Sequence, residues 1–179
     1  KKLFAKLHYE ELSIADVAKK AGISKGLLYH YFKTKREFYI ETIRAAADEL
    51  VEKITSAPRD GEPIERLRFG IRAYLEYVEQ HSGAYQSLMS GGLGVDAEVF
   101  RIIEHVRAEV ISDLIEGIGQ KQKPTALQKL ALYGWIGFVE ATSLEWLKNR
   151  TPDLDDVQLL LEKQLFYIVS SHRRVQSSV

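Results

Sequence analysis

Ser13-Ile14-Ala15-Asp16-Val17-Ala18-Lys19-Lys20-Ala21-Gly22-Ile23-Ser24-Lys25-Gly26-Leu27-Leu28-Tyr29-His30-Tyr31-Phe32 reads as helix, tight turn, helix. Ser13 is a good N-cap, with Asp16 three residues on as a short capping-box partner. Ile14, Val17 and Ala18 share one face at helical spacing. Gly22 permits a left-handed turn. Ile23 is expected to plug between the helices, Ser24 to cap the second, and Leu28 and Phe32 to line its inner face. Two short helices so joined form a helix-turn-helix, whose second helix can enter a major groove. The outward face of that helix then shows Ser24, Lys25, Gly26, Leu27, Tyr29, His30 and Tyr31. A cation, hydroxyls, rings and a glycine allowing close approach can meet phosphates and base edges together. Lys33 and Arg36 just beyond read equally as contacts or as a solvated basic rim.

Outward from this stretch, the helical period continues. Thr34 caps a third helix, with Glu37 completing a capping box, and it runs to about Ile54. Pro58, Pro63, Pro124 and Pro152 mark breaks. Between them run the stripes Ile64, Leu67, Ile71, Leu75, Val78 and Val99, Ile102, Ile103, Val106, Val110, Leu114, Ile118. The pattern goes on through Leu127, Leu130, Ile136, Val139, Leu144, Leu147 and then Leu154, Val157, Leu161, Leu165, Ile168. The fold class expected is all-α, with eight or nine helices, short at first and long after the loop at 59–62. Ser90–Gly94 reads as a flexible connector; its glycines follow no strand and make no phosphate-binding fingerprint.

The 179 residues contain 25 Lys+Arg, 25 Asp+Glu and no Cys. No disulfide scaffold or Cys-ligated metal is therefore available. Apolar runs are only a few residues long, which predicts no membrane span, and no apolar h-region near the start suggests a secretory signal. The absence of Cys fits a cytoplasmic protein. The zero net charge is a cancellation: residues 1–44 hold ten basic and five acidic residues, residues 45–179 fifteen and twenty. The basic end is where a polyanion should bind, with a salt-dependent affinity. The five His form no metal-spaced set and no Ser sits in a nucleophile elbow, so no catalytic, cofactor or metal residue is assigned.

The quoted stretch, extended through Lys33-Thr34-Lys35, resembles the DNA-binding domain of TetR-family transcriptional regulators. The resemblance is close over about residues 3–45 and architectural beyond. It implies an N-terminal three-helix helix-turn-helix domain, residues 1–44, whose first helix ends near Leu3-Phe4 and Tyr9 and extends upstream of Lys1. It implies a larger helical effector-binding and dimerisation domain, residues 45–179. Ser13, Ser24 and Thr34 would hold phosphates from helix N-termini. Lys25 and Gly26 would reach bases, and Leu27 could touch a methyl group. Tyr29 would meet a thymine methyl or a phosphate, His30 and Tyr31 the backbone, and Lys35 another phosphate.

In the larger domain, an apolar, aromatic effector pocket is expected from Tyr74, Tyr77, Met89, Phe100, Ile103, Val106, Trp135 and Phe138, with Glu140 and His105 as polar candidates. Aromatics at helical spacing also suit a plain core. Gly134, Gly137 and Ala141 are small residues that let another helix approach. With Leu161, Gln164, Leu165 and Ile168 of the last helix they would form an isologous dimer interface, or else pack within the chain; the resemblance favours the dimer. The reading is thus a cytoplasmic, homodimeric repressor released from a palindromic DNA operator by a small, largely apolar effector. Rival readings are a helical carrier or enzyme with a vestigial helix-turn-helix, and a constitutive DNA-binding protein without effector.

Overall fold

A computed structural model describes residues 14–58, 62–92, 96–117 and 124–176. Among them the chain forms eight α-helices, one π-helical turn and no strand. They are α1 (Ile14–Ala21), α2 (Lys25–Tyr31), α3 (Lys35–Thr55), α4 (Pro63–Gln80), α5 (Ser82–Ser87), the π-turn Leu88–Gly92, α6 (Ala97–Gly117), α7 (Ala126–Asn149) and α8 (Leu154–Gln176). The chain divides into two compact units, each of two segments: Lys1–Glu49 with Gln80–Glu104, and Leu50–Glu79 with His105–Val179.

In the first unit, α1 ends in a Schellman motif. Gly22 takes a φ of +68°. Its N–H donates to Lys19 O at 3.3 Å, and the Ile23 N–H donates to Ala18 O at 3.0 Å. Ile23 departs from expectation. It follows the left-handed glycine and remains 37% exposed, so it does not plug the gap between the helices. Val17, Leu28 and Phe38 make the core, with Phe32 set edge-on to Phe38 at 5.0 Å between ring centroids. Thr34 Oγ1 accepts from the Glu37 N–H at 3.0 Å. The Glu37 carboxylate reaches one residue further back than a capping box requires, to the Lys33 N–H at 2.8 Å. Of the connector expected at Ser90–Gly94, residues 90–92 belong to a π-turn, Leu88–Gly92, a widened helical turn often found at functional positions, and residues 93–94 lie outside the described residues.

In the second unit, Thr125 and Gln128 cap α7 reciprocally. The helix stops at Arg150, in left-handed conformation at φ 53°, whose N–H donates to Trp146 O. After four residues α8 returns along α7. The Trp135 Nε1–H donates to Leu161 O at 3.1 Å, and the Trp146 Nε1–H to Pro152 O at 2.8 Å. Each indole thus buries its ring while satisfying its one donor. Ile71, Leu75, Val78, Val157, Leu161 and Leu165 are buried as their stripes require. Ile64, Leu127 and Leu130 are exposed, because the outer faces of these helices are also apolar. Arg107 grips Glu140 with two hydrogen bonds, 2.9 and 2.7 Å.

Candidate nucleic-acid interface

The second helix owes its pose to two local devices. Ser24, extended at φ −73° and ψ 148°, accepts from the Leu27 N–H at 3.0 Å, so α2 begins where its hydroxyl sits. Leu28 then anchors the helix in the core, and its periodicity turns the neighbouring residues outward. Lys25, Gly26, Leu27, Tyr29, His30 and Tyr31 are all exposed, Tyr31 by 69%. Three of these large side chains are aromatic or aliphatic, which water does not favour at a bare surface.

The exposed groups are organised among themselves. Lys25 Nζ stands 5.9 Å from the Tyr29 ring centroid, one helical turn on. His30 lies edge-on to Tyr31 at 5.6 Å. A Cβ at Gly26 would meet only Ser24 Oγ, at 3.9 Å. The chain's own packing therefore gives no reason for glycine there, although glycine weakens a helix. Ser24 and Thr34 each use an oxygen lone pair on a backbone N–H, which leaves the hydroxyl hydrogen to donate outward. Lys35 is half-buried at the start of α3. The structure thus brings Ser24, Lys25, Gly26, Leu27, Tyr29, His30, Tyr31, Thr34 and Lys35 into one short stretch of surface around α2. Ser13, with Leu3, Phe4 and Tyr9, lies outside the described residues.

Arg36 is no solvated rim. Its Nε and Nη2 donate to the two carboxylate oxygens of Asp96 at 2.7 and 2.9 Å, and Nη2 reaches Glu98 at 3.4 Å. Arg44 Nη2 meets the other Glu98 oxygen at 3.2 Å. The hydrogen bond from Arg36 holds the Asp96 carboxyl below its ordinary value, and Asp96 in turn raises the Arg36 guanidinium. Sequence reasoning missed this pairing. The partners are 60 residues apart, and the only local hint is that Asp96 suits an N-cap.

The other expected sites are less well gathered. Tyr77 and Trp135 are buried, and Tyr74, Met89, Ile103 and Val106 half-buried. Phe100 and Phe138 are exposed, the opposite of what lining an enclosed pocket requires. Met89, Phe100 and Ile103 belong to the first unit, the remaining five to the second. Glu140 is paired with Arg107, and the His105 side chain is 67% exposed. On the expected dimer surface, Leu161 and Leu165 must be corrected. At 0% and 3% exposure they face their own chain's core and offer nothing to a partner. Gly134, Gly137, Ala141 and Gln164 are exposed, and Ile168 is half-buried. A Cβ at Gly134 or Gly137 would meet nothing within 4 Å.

Among the described residues no group of three His, Cys, Asp or Glu could hold a metal, and no helix is long and apolar enough to cross a membrane.

Two family models match this chain. One, described as bacterial regulatory proteins, tetR family, covers residues 1–42; the other, tetracyclin repressor-like, C-terminal domain, covers residues 63–168. The chain is similar to the HTH-type transcriptional activator FasR of Mycolicibacterium smegmatis, 23% identical over 84% of this chain and 69% of that protein. It is 32% identical to the HTH-type transcriptional repressor KstR2 of Mycobacterium tuberculosis over 44% of this chain and 40% of the other. A solved tetR-family transcriptional regulator from Streptomyces coelicolor superposes with a TM-score of 0.81 at 28% identity, covering 94% of this chain and 74% of that one.

Proposed function

We propose, since the chain belongs to the tetR family of bacterial regulatory proteins, that this DNA-binding transcriptional regulator is a cytoplasmic homodimeric repressor. It reads a roughly palindromic operator and releases it on binding a small, largely apolar effector. The observation that carries the reading is the outward face of α2. Lys25, Gly26, Leu27, Tyr29 and Tyr31 crowd a surface that the protein's own packing does not use. A two-fold dimer sets two such helices about 34 Å apart, one turn of B-DNA. Lys25, Gly26, Leu27 and Tyr29 are assigned to base edges and methyl groups. Ser13, Ser24, His30, Tyr31, Thr34 and Lys35 are assigned to the backbone. The functional boundary is taken at residues 44 and 45, within α3.

The subunit interface is assigned to the outer faces of α7 and α8. Gly134 and Gly137 leave open space on α7 beside exposed Ala141, and Leu160, Gln164 and Tyr167 form an exposed stripe at helical spacing on α8. Repression rather than activation is the direction proposed; among the relatives, KstR2 is a repressor and FasR an activator. The effector acts by preferring the DNA-free geometry of α3; a ligand without that preference shifts nothing.

Selection of duplexes from random DNA by the full chain tests the reading. Enrichment of an inverted repeat is expected, with binding weakened by Tyr29→Ala while the dimer persists. Failure to enrich any sequence would favour a helical carrier with a vestigial reader.

A further inference from the structure

We propose that Arg36 and Asp96 are positioning residues of the DNA reader, and that the Arg36–Asp96–Glu98–Arg44 cluster sets its orientation. The proposal rests on the regulator reading for its consequence at DNA, but its geometry stands independently. All four residues lie in one compact unit, so the cluster belongs to the reader's own framework.

Three features make the cluster more than a surface ion pair. First, Arg36 meets Asp96 in a two-point fork, which fixes angle as well as distance. Second, Asp96 is itself held. Its Oδ1 also accepts from the Glu98 N–H at 2.9 Å, so the fork is seated on the start of α6, not on a free side chain. Third, Glu98 bridges Arg36 and Arg44, eight residues apart on α3. That separation is roughly 12 Å along a helix axis. One tie would let α3 pivot; two ties on the same rod define its direction.

The orientation so defined passes to α2. Phe38 sits one turn from Lys35, buried with Leu28 and Val17, and its ring meets Phe32 at the end of α2. Packed side chains of this kind move together, because an interior has little room to deform. Each exposed ion pair is weak on its own. The cluster is therefore a tie that competing interactions can loosen, as a reader that must both hold and release DNA requires.

The test uses the full chain and the variants Asp96→Asn, Arg36→Gln and their double. Asn remains a competent N-cap, so α6 keeps its start while the fork loses its charge. Hydrogen exchange, which needs no DNA, should quicken about three- to tenfold at amides of residues 25–40, with α7 and α8 unchanged. The double variant should match Arg36→Gln alone, since that change already removes the fork that Asp96→Asn weakens, along with the Glu98 contact. Binding to the duplex enriched by the wild-type chain should weaken about tenfold through a smaller competent fraction, with the salt slope unchanged. Additive effects, or unchanged exchange, would overturn the proposal. So would a salt slope reduced by Arg36→Gln but not by Asp96→Asn, which would make Arg36 a direct phosphate contact. If no duplex is enriched, the regulator reading fails, and the exchange arm alone decides the tie.

Discussion

Replacing Gly26 by alanine should make this protein more stable and worse at binding DNA. Inside the chain, the new methyl group meets Ser24 Oγ at 3.9 Å, an ordinary van der Waals contact, and nothing else. No left-handed φ is present at this position to be strained, since Gly22 is the one described glycine with positive φ. What remains is the helix preference of alanine over glycine. That preference is about 0.5–1 kcal/mol, toward the lower figure because Gly26 lies in the first turn of α2. For a chain of this size it corresponds to a rise in melting temperature of roughly 1–4 °C. On the DNA side, if α2 reads the duplex as proposed, the same methyl group stands where a base edge or sugar comes close. Its clash should cost about 1–3 kcal/mol, the size of one good base contact, hence roughly five- to 150-fold in affinity. Thermal melting by circular dichroism reads the first change, and titration of the selected duplex at fixed salt reads the second. If Gly26→Ala melts lower than wild type, the open space above Gly26 is not real. If it binds the duplex as tightly as wild type, the glycine is not there for close approach and α2 presents a different face to DNA.

Gly22→Ala should behave oppositely in the fold. Nothing lies within 4 Å of its Cβ, so the left-handed φ is the only penalty, about 1–2 kcal/mol in a denaturant titration. A variant as stable as wild type would show that the turn relaxes freely. Gly134→Leu should leave the melting of the single chain nearly unchanged while driving the dimer toward monomer in sedimentation; an intact dimer would place the interface elsewhere. Asp96 has a folded pKa below its ordinary 3.8, so its stabilising effect is complete at neutral pH. That effect should fade as pH falls from about 4 through the lower folded value, and Asp96→Asn should flatten acid-unfolding curves in that window. An unaltered acid limb would remove Asp96 from the account.

The parts of the fold legible in the sequence are those whose cause is local. Val17, Leu28 and Phe32 stand at helical spacings around one glycine, and the chain folds there as that spacing dictates. Thr125 and Gln128 cap α7 by contacts three residues apart. The long-range choices were not legible. On α8, periodicity marks Val157, Leu161 and Leu165 as one apolar face, but it cannot say whether that face meets the chain's own core or a partner. The structure turns Leu161 and Leu165 inward and leaves Leu160 and Gln164 outside. Aromatic content likewise could not separate Trp135, buried against α8, from Phe138, exposed three residues later. Arg36 illustrates the limit for charge. A basic residue beside a basic patch reads as more of the patch until its distant carboxylates are seen.

The two buried indoles have a spectroscopic consequence. Trp135 and Trp146 are the chain's only tryptophans, and both have their N–H bonded to backbone carbonyls beside or within α8. Their emission therefore reports α7 and α8, which lie in the unit that holds none of α1, α2 and the start of α3. A cooperative tryptophan transition would say nothing about whether the DNA reader is still folded. If the reader opens first, ellipticity and tyrosine absorbance will fall while tryptophan emission stays constant, and the gap between the curves will measure the reader's own stability.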